Sequence, residues 1–273
     1  MPEIPCRLII DLPAAGACNM AVDEALLAAA VDGGPATLRL YQWHEPTLSL
    51  GYFQQYDDRN QHAASRDCTV VRRQSGGGAI LHDRELTYSL TLPPGHPLTH
   101  DATALYNAIH NAFIALLTPR LSSAAAQKWK LALHRADCRV APSEEPFLCF
   151  QRRACGDLLL VTTGATSDAS TATNSAPSAY KIMGSAQRRH RGAILQHGSL
   201  LIAQSSAAPE LPGWQELTGT PLPLDEFIAG VVRQLFGIVG CDATPAELPA
   251  SIHDMARRIE QEKYSSRSWT ARR

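Results

Sequence analysis

The chain has 273 residues, 45% apolar and 19% charged, with a formal net charge of −1. That composition allows one large globular domain or two small ones with a substantial core. A near-zero charge excludes the global basic field that draws a protein to nucleic acid or to an anionic membrane. No apolar run approaches the roughly 20 residues that span a bilayer. Glu3, Asp11, Asp23 and Glu24 interrupt the N-terminal apolar stretch, so no signal peptide is expected. Seven cysteines without a CxxC pair speak against a metal site or a disulfide scaffold, and for reduced thiols in a cytoplasm.

Residues 7–12 are predicted to form a first strand. Asn19 is placed to N-cap a helix through Met20-Ala21-Val22-Asp23-Glu24, with the acidic residues in its first turn, and Gly33-Gly34-Pro35 stops it. Alternation predicts strands over 37–43 and 47–52, on either side of a turn at Glu45-Pro46. A strand over 70–73 leads into Gly76-Gly77-Gly78. A short apolar run to His82 follows, then the acidic turn Asp83-Arg84-Glu85, then an alternating segment over 87–92. From 101 to 117 the period becomes helical, with Leu105, Ile109, Phe113 and Leu116 on one face and Pro119 at the end.

Short strands are predicted at 147–150 and 156–161, around Arg152-Arg153. Residues 162–179 are nearly all Thr, Ser, Ala, Gly, Asn and Pro, a low-complexity insert with little to bury. A long strand follows at 193–202, then an amphipathic helix over 224–236 closed by Gly237. Thr244-Pro245-Ala246-Glu247 has the pattern of a capping box opening a last helix to about Glu262. Together these elements predict an α+β fold: a mixed, mainly antiparallel sheet with helices packed on it. A single domain is expected over 1–273, with its core at about 33–240. The glycine run is not GxGxxG and a strand follows it, which disfavours a dinucleotide fold.

Two stretches carry candidate chemistry. In Arg72-Arg73-Gln74-Ser75-Gly76-Gly77-Gly78 three glycines remove every Cβ from one place, so backbone N–H groups can approach an acyl, carboxylate or phosphate group. The same run also suits a plain tight turn. In the second stretch, Lys181-Ile182-Met183-Gly184-Ser185-Ala186-Gln187, small residues after a lysine let backbone approach a ligand while the ammonium offers a mobile charge. Gly192-Ala193-Ile194-Leu195-Gln196-His197-Gly198-Ser199 follows.

In this order, RRQSGGGAILHDRELTYS and KIMGSAQRR with LQHGSLLI resemble the lipoate-protein ligase A/B superfamily, the biotin/lipoate ligase catalytic domain. Asn19-Met20-Ala21-Val22-Asp23-Glu24, Glu262-Lys263-Tyr264 and Trp269 fit it too, so the resemblance covers nearly the whole chain. It implies that fold, an acyl chain lying between the two motifs, and a lipoyl-domain lysine as acceptor. Ligases of the superfamily start from a free acid and need ATP and Mg to form an acyl-adenylate. Transferases start from a thioester on acyl-carrier protein and need no cofactor. One transferase branch uses a cysteine between the two motifs, followed by Phe, as Cys149-Phe150 is here. His82-Asp83-Arg84-Glu85-Leu86-Thr87-Tyr88-Ser89 and Gly184-Ser185-Ala186-Gln187 resemble that branch as well.

The resemblance therefore implies a protein octanoyltransferase. Cys149 would be the nucleophile and Lys181 the ammonium that favours its thiolate. Acceptors would be the glycine cleavage H protein or E2 subunits. Arg72, Arg73, Ser75, Gly76, Gly77, Gly78, His82, Tyr88, Gly184, Ser185, Ala186, Gln187, His197 and Gly198 would bind substrate. Backbone N–H groups near 184–186 would hold the oxyanion. Burying an octanoyl tail of about seven methylene and methyl groups at roughly 0.8 kcal/mol each offers about 5 kcal/mol before ordering costs.

Other residues leave alternatives open. Cys155 is a rival nucleophile, whereas Cys6, Cys18, Cys68, Cys138 and Cys241 read as structural or incidental. His82 and His197 suit positioning more than acid–base work. Arg72 and Arg73 either orient substrate or pair with acidic side chains. Arg152, Arg153 and 188–191 either dock acidic carrier proteins or form a solvated face. The insert lengthens the chain between Cys149 and Lys181 beyond the family pattern. Looped out, it leaves them free to meet; otherwise it parts them. An ATP-dependent ligase and a non-catalytic acyl- or lipoyl-domain-binding module are the competing functions.

Overall fold

The computed structural model describes residues 5–135, 145–164, 179–242 and 244–273. Its strands are β1 (Cys6–Ile10), β2 (Ala36–Tyr41), β3 (Thr47–Leu50), β4 (Thr69–Arg72), β5 (Ile80–His82), β6 (Glu85–Leu92), β7 (Trp129–Leu133), β8 (Leu158–Thr162), β9 (Ala179–His190), β10 (Ala193–Leu201) and β11 (Thr244–Pro245). The helices are α1 (Gly16–Val31), α2 (Ala102–Leu117), α3 (Ser123–Lys128), α4 (Trp214–Thr218), α5 (Leu224–Val239), α6 (Ala250–Ile259) and α7 (Arg267–Thr270). Eight strands form one sheet in the order β11-β1-β2-β6-β10-β9-β8-β7, and β4-β3-β5 form a second. In the large sheet β1 runs parallel to β2 and β11, and the other pairings are antiparallel. This is the mixed, mainly antiparallel α+β arrangement that the alternation predicts.

Period two also sets the layers. On β6 Leu86, Tyr88, Leu90 and Leu92 project to one side, where they join Leu105, Ile109 and Phe113 of α2 and Phe227 and Val231 of α5 in the main core. Helix α2 forms where the helical period predicts it, with the Asp101 side chain accepting from the Ala104 N–H at 2.9 Å. Helices α1 and α6 cover the opposite face through Met20, Val22, Leu26, Ile252 and Ala256, packed with Tyr41 and Trp43. Here β2 and β6 present Arg39, Thr87 and Ser89, all out of water. Arg39 donates to Asp11 at 2.6 Å, to Asp23 at 2.9 Å and to Asn19 Oδ1 at 2.8 Å. Burial raises the Asp23 pKa, but the His197 hydrogen bond and the Arg39 charge outweigh it and hold the carboxyl below its ordinary value.

Several local expectations are corrected. Asn19 does not cap α1, which starts three residues earlier with no side-chain cap. Instead its amide donates to Ala14 O and Gln42 O, both at 3.2 Å, and ties the helix to the end of β2. Residues 147–150 form no strand: Leu148 makes an isolated bridge to Ala79, and Cys149–Gln151 is a 3-10 turn. Helix α5 runs past Gly237 to Gly240, whose φ of 80° ends it. Residues 244–245 pair with β1 rather than cap a helix, and α6 begins at Ala250 behind Pro249. Cys6 and Cys241 are joined as a disulfide, so the thiols are not all reduced. Cys138 lies outside the described residues.

Of the insert, 165–178 lie outside the described residues, but its two ends meet: Val161 on β8 pairs with Ala179 on β9. Among the described residues no helix is long and apolar enough to cross a membrane.

Removing the cation while leaving Asp23 buried is expected to be costly. Arg39→Met should lower the unfolding free energy by about 3–5 kcal/mol in urea titrations, and a loss below about 1 kcal/mol would show that the pair is not organising this face.

Candidate active site

A cavity of about 530 Å³, its open mouth included, lies between the glycine loop, the 3-10 turn at Cys149 and strands β6, β9 and β10. Its wall contains Cys149, Lys181 and, of the other residues anticipated from the sequence, Arg73, Gly77, His82, Gly184, Ser185, Ala186, His197 and Gly198. Arg72, Ser75, Gly76, Gly78, Tyr88 and Gln187 are not part of that wall; they support it or lie beside it.

Cys149 and Lys181 meet. The Cys149 N–H donates to Ala79 O at 2.6 Å, which fixes the turn against the end of the glycine loop. Lys181 Nζ lies 3.8 Å from Cys149 Sγ and 3.4 Å from its carbonyl oxygen. The ammonium also forms a 2.8 Å ion pair with Asp157 Oδ2, both side chains being buried. Asp157 accepts further bonds from the Tyr106 hydroxyl at 2.8 Å and the Ala154 N–H at 2.7 Å. Burial pulls the Lys181 pKa down, but Cys149 and Asp157 more than compensate, and the group is held above its ordinary value. Lys181 is thus a fixed cation at neutral pH. Cys155, the rival nucleophile, is exposed and does not line the cavity.

The small residues after Lys181 line the cavity and also have an internal use. A Cβ on Gly184 would stand 2.5 Å from Lys181 Cε and 2.8 Å from Nζ, so this glycine makes room for the lysine to fold back onto Asp157. The Ser185 N–H, expected to be free for an oxyanion, donates to Tyr106 Oη at 3.0 Å.

Of the two alternatives for the arginines, pairing with acidic side chains is not what the structure shows. Neither meets a carboxylate among the described residues, and both bind carbonyls. Arg72 donates to Gly51 O at 2.9 Å, Gln54 O at 2.7 Å and Thr270 O at 3.0 Å. It pins the loop after β3 to the C-terminal helix and does not touch the cavity. Arg73 donates to Ser49 O at 2.8 Å and to Gly76 O and Gly78 O at 2.7 Å. The glycine loop therefore turns these two carbonyls onto a guanidinium, with Gly77 at φ 94° between them. Burial lowers the Arg73 pKa to about 10, with Cys149 opposing that shift. It remains a second positive charge near the sulfur.

Three histidines are locked by hydrogen bonds whose direction is forced by carboxylates or carbonyls. His82 stacks on Trp43 with centroids 3.9 Å apart and donates Nδ1–H to Glu85 at 2.7 Å. Its Nε2 has no partner among the described residues, and the residue lines the cavity. His197 Nε2 accepts from Ser75 Oγ at 2.6 Å, and its Nδ1 faces Asp23 at 3.4 Å. His110 donates Nδ1–H to Gly156 O at 2.8 Å, so its Nε2 accepts from Ser185 Oγ at 2.7 Å; that hydroxyl accepts from Tyr88 at 2.8 Å. Gln196 donates to Tyr88 Oη at 2.6 Å, and Gln187 donates to Gln196 and Ala102 O. Tyr88 and Gln187 are thus outer supports of Ser185. Among the described residues no group of three or more His, Cys, Asp or Glu side chains is placed to hold a metal.

Sequence reasoning missed Asp157, Tyr106, His110 and Trp43. None stands in a motif, and each becomes meaningful only once β8, α2 and β2 are brought beside β9 and β10.

A mixed sheet carrying a cysteine–lysine pair beside a glycine loop defines the class. The family model of the lipoyl protein ligase A/B catalytic domain matches residues 15–208, and the chain belongs to that family. An octanoyltransferase LipM from Kyrpidia tusciae is 30% identical over 98% of both chains, and the present chain is an acyltransferase. In fold it matches Ta0514 of Thermoplasma acidophilum, a putative lipoate protein ligase with bound lipoic acid, at a TM-score of 0.69 and 20% identity, over 98% of this chain and 99% of that one. A bipartite lipoate protein ligase from the same organism, described with its E2 lipoyl domain, matches at 0.68 and 18%, over 98% and 97%.

Gly184→Ala is expected to push Lys181 off Asp157 and to cut the rate of Cys149 alkylation, while far-UV circular dichroism is unchanged; an unaltered rate would deny the glycine this role. His110 gives a pH test. Burial pushes its pKa down to about 4, so between roughly pH 6.5 and 4 the unfolded chain binds a proton that the folded one does not. Stability present above pH 6.5 is therefore lost as pH falls, by about 3 kcal/mol. His110→Gln should flatten that part of the stability–pH curve, and parallel curves would contradict the assignment.

Proposed function

We propose that the protein transfers an octanoyl group from acyl-carrier protein to Cys149, and from Cys149 to the lysine of a lipoyl domain, in the cytoplasm and without ATP. The observation that carries this reading is the Cys149–Lys181 contact at 3.8 Å inside the cavity. An acid would need activation before it could acylate an amine; a thioester is already activated and needs a sulfur nucleophile. The thiolate is the nucleophilic form of a thiol, and an adjacent cation stabilises it.

In the first step Cys149 Sγ attacks the thioester carbonyl. The bond to the carrier sulfur breaks, and the departing thiolate takes a proton, for which Lys181 is the nearest donor. One thioester replaces another, so the step is close to isoenergetic. In the second step the neutral amine of the acceptor lysine attacks the Cys149 thioester. The carbon–sulfur bond breaks, the amide forms, and the sulfur leaves as a thiolate while the amine proton passes to Lys181, which the first step left neutral, and so restores the ammonium beside it. Amide formation makes this step downhill. Lys181 can donate in the first step only if it starts that step charged, and Asp157 offsets the burial that would neutralise it. The apolar side of the cavity, with Met20, Ile80 and Phe150 in its wall, suits an alkyl tail. The E2 lipoyl domain named with the Thermoplasma protein supports a lipoyl domain as acceptor.

Wild-type protein exposed to octanoyl-carrier is expected to gain one octanoyl mass that hydroxylamine removes, and Cys149→Ser to gain none. Wild type without an adduct, together with ATP-dependent modification of a lipoyl domain, would overturn the transferase in favour of a ligase. Asp157→Asn should slow loading by about 100-fold, the low end of what a positioned acid–base group contributes, because Asp157 acts through Lys181. Without the carboxylate, burial acts on Lys181 less opposed, so the alkaline fall in rate should move to lower pH. An unshifted limb would separate Asp157 from the lysine.

A further inference from the structure

A patch of arginine and aromatic side chains borders the cavity and takes no part in the chemistry above. Tyr52 and Phe53 follow β3 on a loop packed against the glycine run. The Tyr52 N–H donates to Ser75 O at 2.9 Å, and the Phe53 ring lies 3.8 Å from where a Gly76 Cβ would stand. Phe53 is 67% exposed, unusual here for a large apolar side chain. Arg272 lies over the Tyr52 ring at 3.9 Å and over Trp269 at 4.6 Å, and Arg273 lies 5.5 Å from the Phe53 ring. On the other rim Arg188 comes within 6.0 Å of Tyr52. Two residues beyond Ala186 on β9, it shares the face by which Ala186 lines the cavity. The exposed Tyr52 hydroxyl is held below its ordinary pKa by a hydrogen bond from Arg272 and by the charges of Arg272, Arg188 and Arg273.

Three positive charges thus converge on one ring at the mouth. Among the described residues none of these guanidinium groups forms an ion pair. The nearby carboxylate of Glu24 is held by Lys263 and Tyr264, each at 2.6 Å. Gathered like charges oppose folding, against which Arg272 gains from its stacking on Tyr52 and Trp269. With a net charge of −1 it is a local feature and not part of a basic surface.

We propose that Tyr52, Phe53, Arg188, Arg272 and Arg273 form the docking face for the acyl donor, a carrier protein with an acidic surface and a phosphate-bearing arm. This rests on the transfer reaction proposed above. Planar guanidinium groups suit carboxylate and phosphodiester oxygens, and Phe53 supplies an apolar contact among them. The donor fits this face better than the acceptor does. Its arm brings negative charge to these guanidinium groups, whereas the neutral acceptor amine brings none.

The test uses the full chain and two donors: the octanoyl-carrier, and octanoyl-N-acetylcysteamine, an uncharged thioester with no protein attached. Mass spectrometry follows the loading of Cys149 in Arg188→Glu and in Arg272→Glu combined with Arg273→Glu. Each variant is expected to load about tenfold or more slowly from the carrier. The wild-type advantage should shrink as salt rises. Loading from the small thioester should match wild type, which also shows that the variants are folded. Unchanged loading from the carrier, or equal slowing with both donors, overturns the docking face. Normal carrier loading with slowed transfer to a lipoyl domain assigns the face to the acceptor, and equally overturns it. Wild type loaded by neither donor overturns the transfer reaction, and the docking face with it.

Discussion

A lysine ammonium and an aspartate carboxylate, 2.8 Å apart and both out of water, set the form of this site. Taking each charge out of water costs several kcal/mol, which is recovered only with close geometry and satisfied hydrogen bonds. The surroundings meet that demand. Tyr106 from α2 and the Ala154 N–H bind the carboxylate, and residue 184 has no Cβ to obstruct the lysine. The cysteine then needs only to be held nearby, and the 2.6 Å bond from its N–H to Ala79 O does so.

The other half of the cavity follows the same rule with different groups. Strand alternation turns Glu85, Thr87 and Ser89 toward α1, where none of them reaches water. Glu85 binds His82, Thr87 accepts from Trp43 and Ser89 donates to Asp23, whose carboxylate is answered in turn by Arg39 and His197. Hydrogen-bonded networks of this kind make a region rigid, and here His82 Nε2 and Glu85 Oε2 are the atoms left without a partner among the described residues. The glycine loop gains its shape from inside as well, because Arg73 gathers the carbonyls of Gly76 and Gly78. Rigid walls on both sides leave the mouth, with its exposed Phe53 and arginines, as the part free to meet a partner.

Much of the fold could be read from the sequence because β2 and β6 set apolar residues on one face against polar ones on the other, and α2 buries one apolar face, so each leaves a period. Boundaries failed where tertiary bonds decide them. Asn19 looks like a cap but binds carbonyls beyond its own helix, and 244–245 look like a capping box but add a strand to β1. The disulfide joins residues 235 positions apart, which no local pattern records. Cys149, Lys181 and the glycine run were legible through family motifs. Their working partners were not: Asp157, His110 and Tyr106 are single residues on separate elements, and only packing gives them a common target. Gly184 and Arg73 have internal tasks that no motif records: the one makes room for Lys181 and the other gathers the chain's own carbonyls, while both also line the cavity.

The central claim is that Lys181 supplies the charge beside the sulfur at position 149. Its most direct measurement is the rate at which iodoacetamide alkylates Cys149 at neutral pH, in wild type and in Lys181→Met, with adducts located by peptide mass spectrometry. The account predicts a marked fall in the variant at that cysteine, with Cys155 alkylated as before. Equal rates at Cys149 in the two proteins would contradict it.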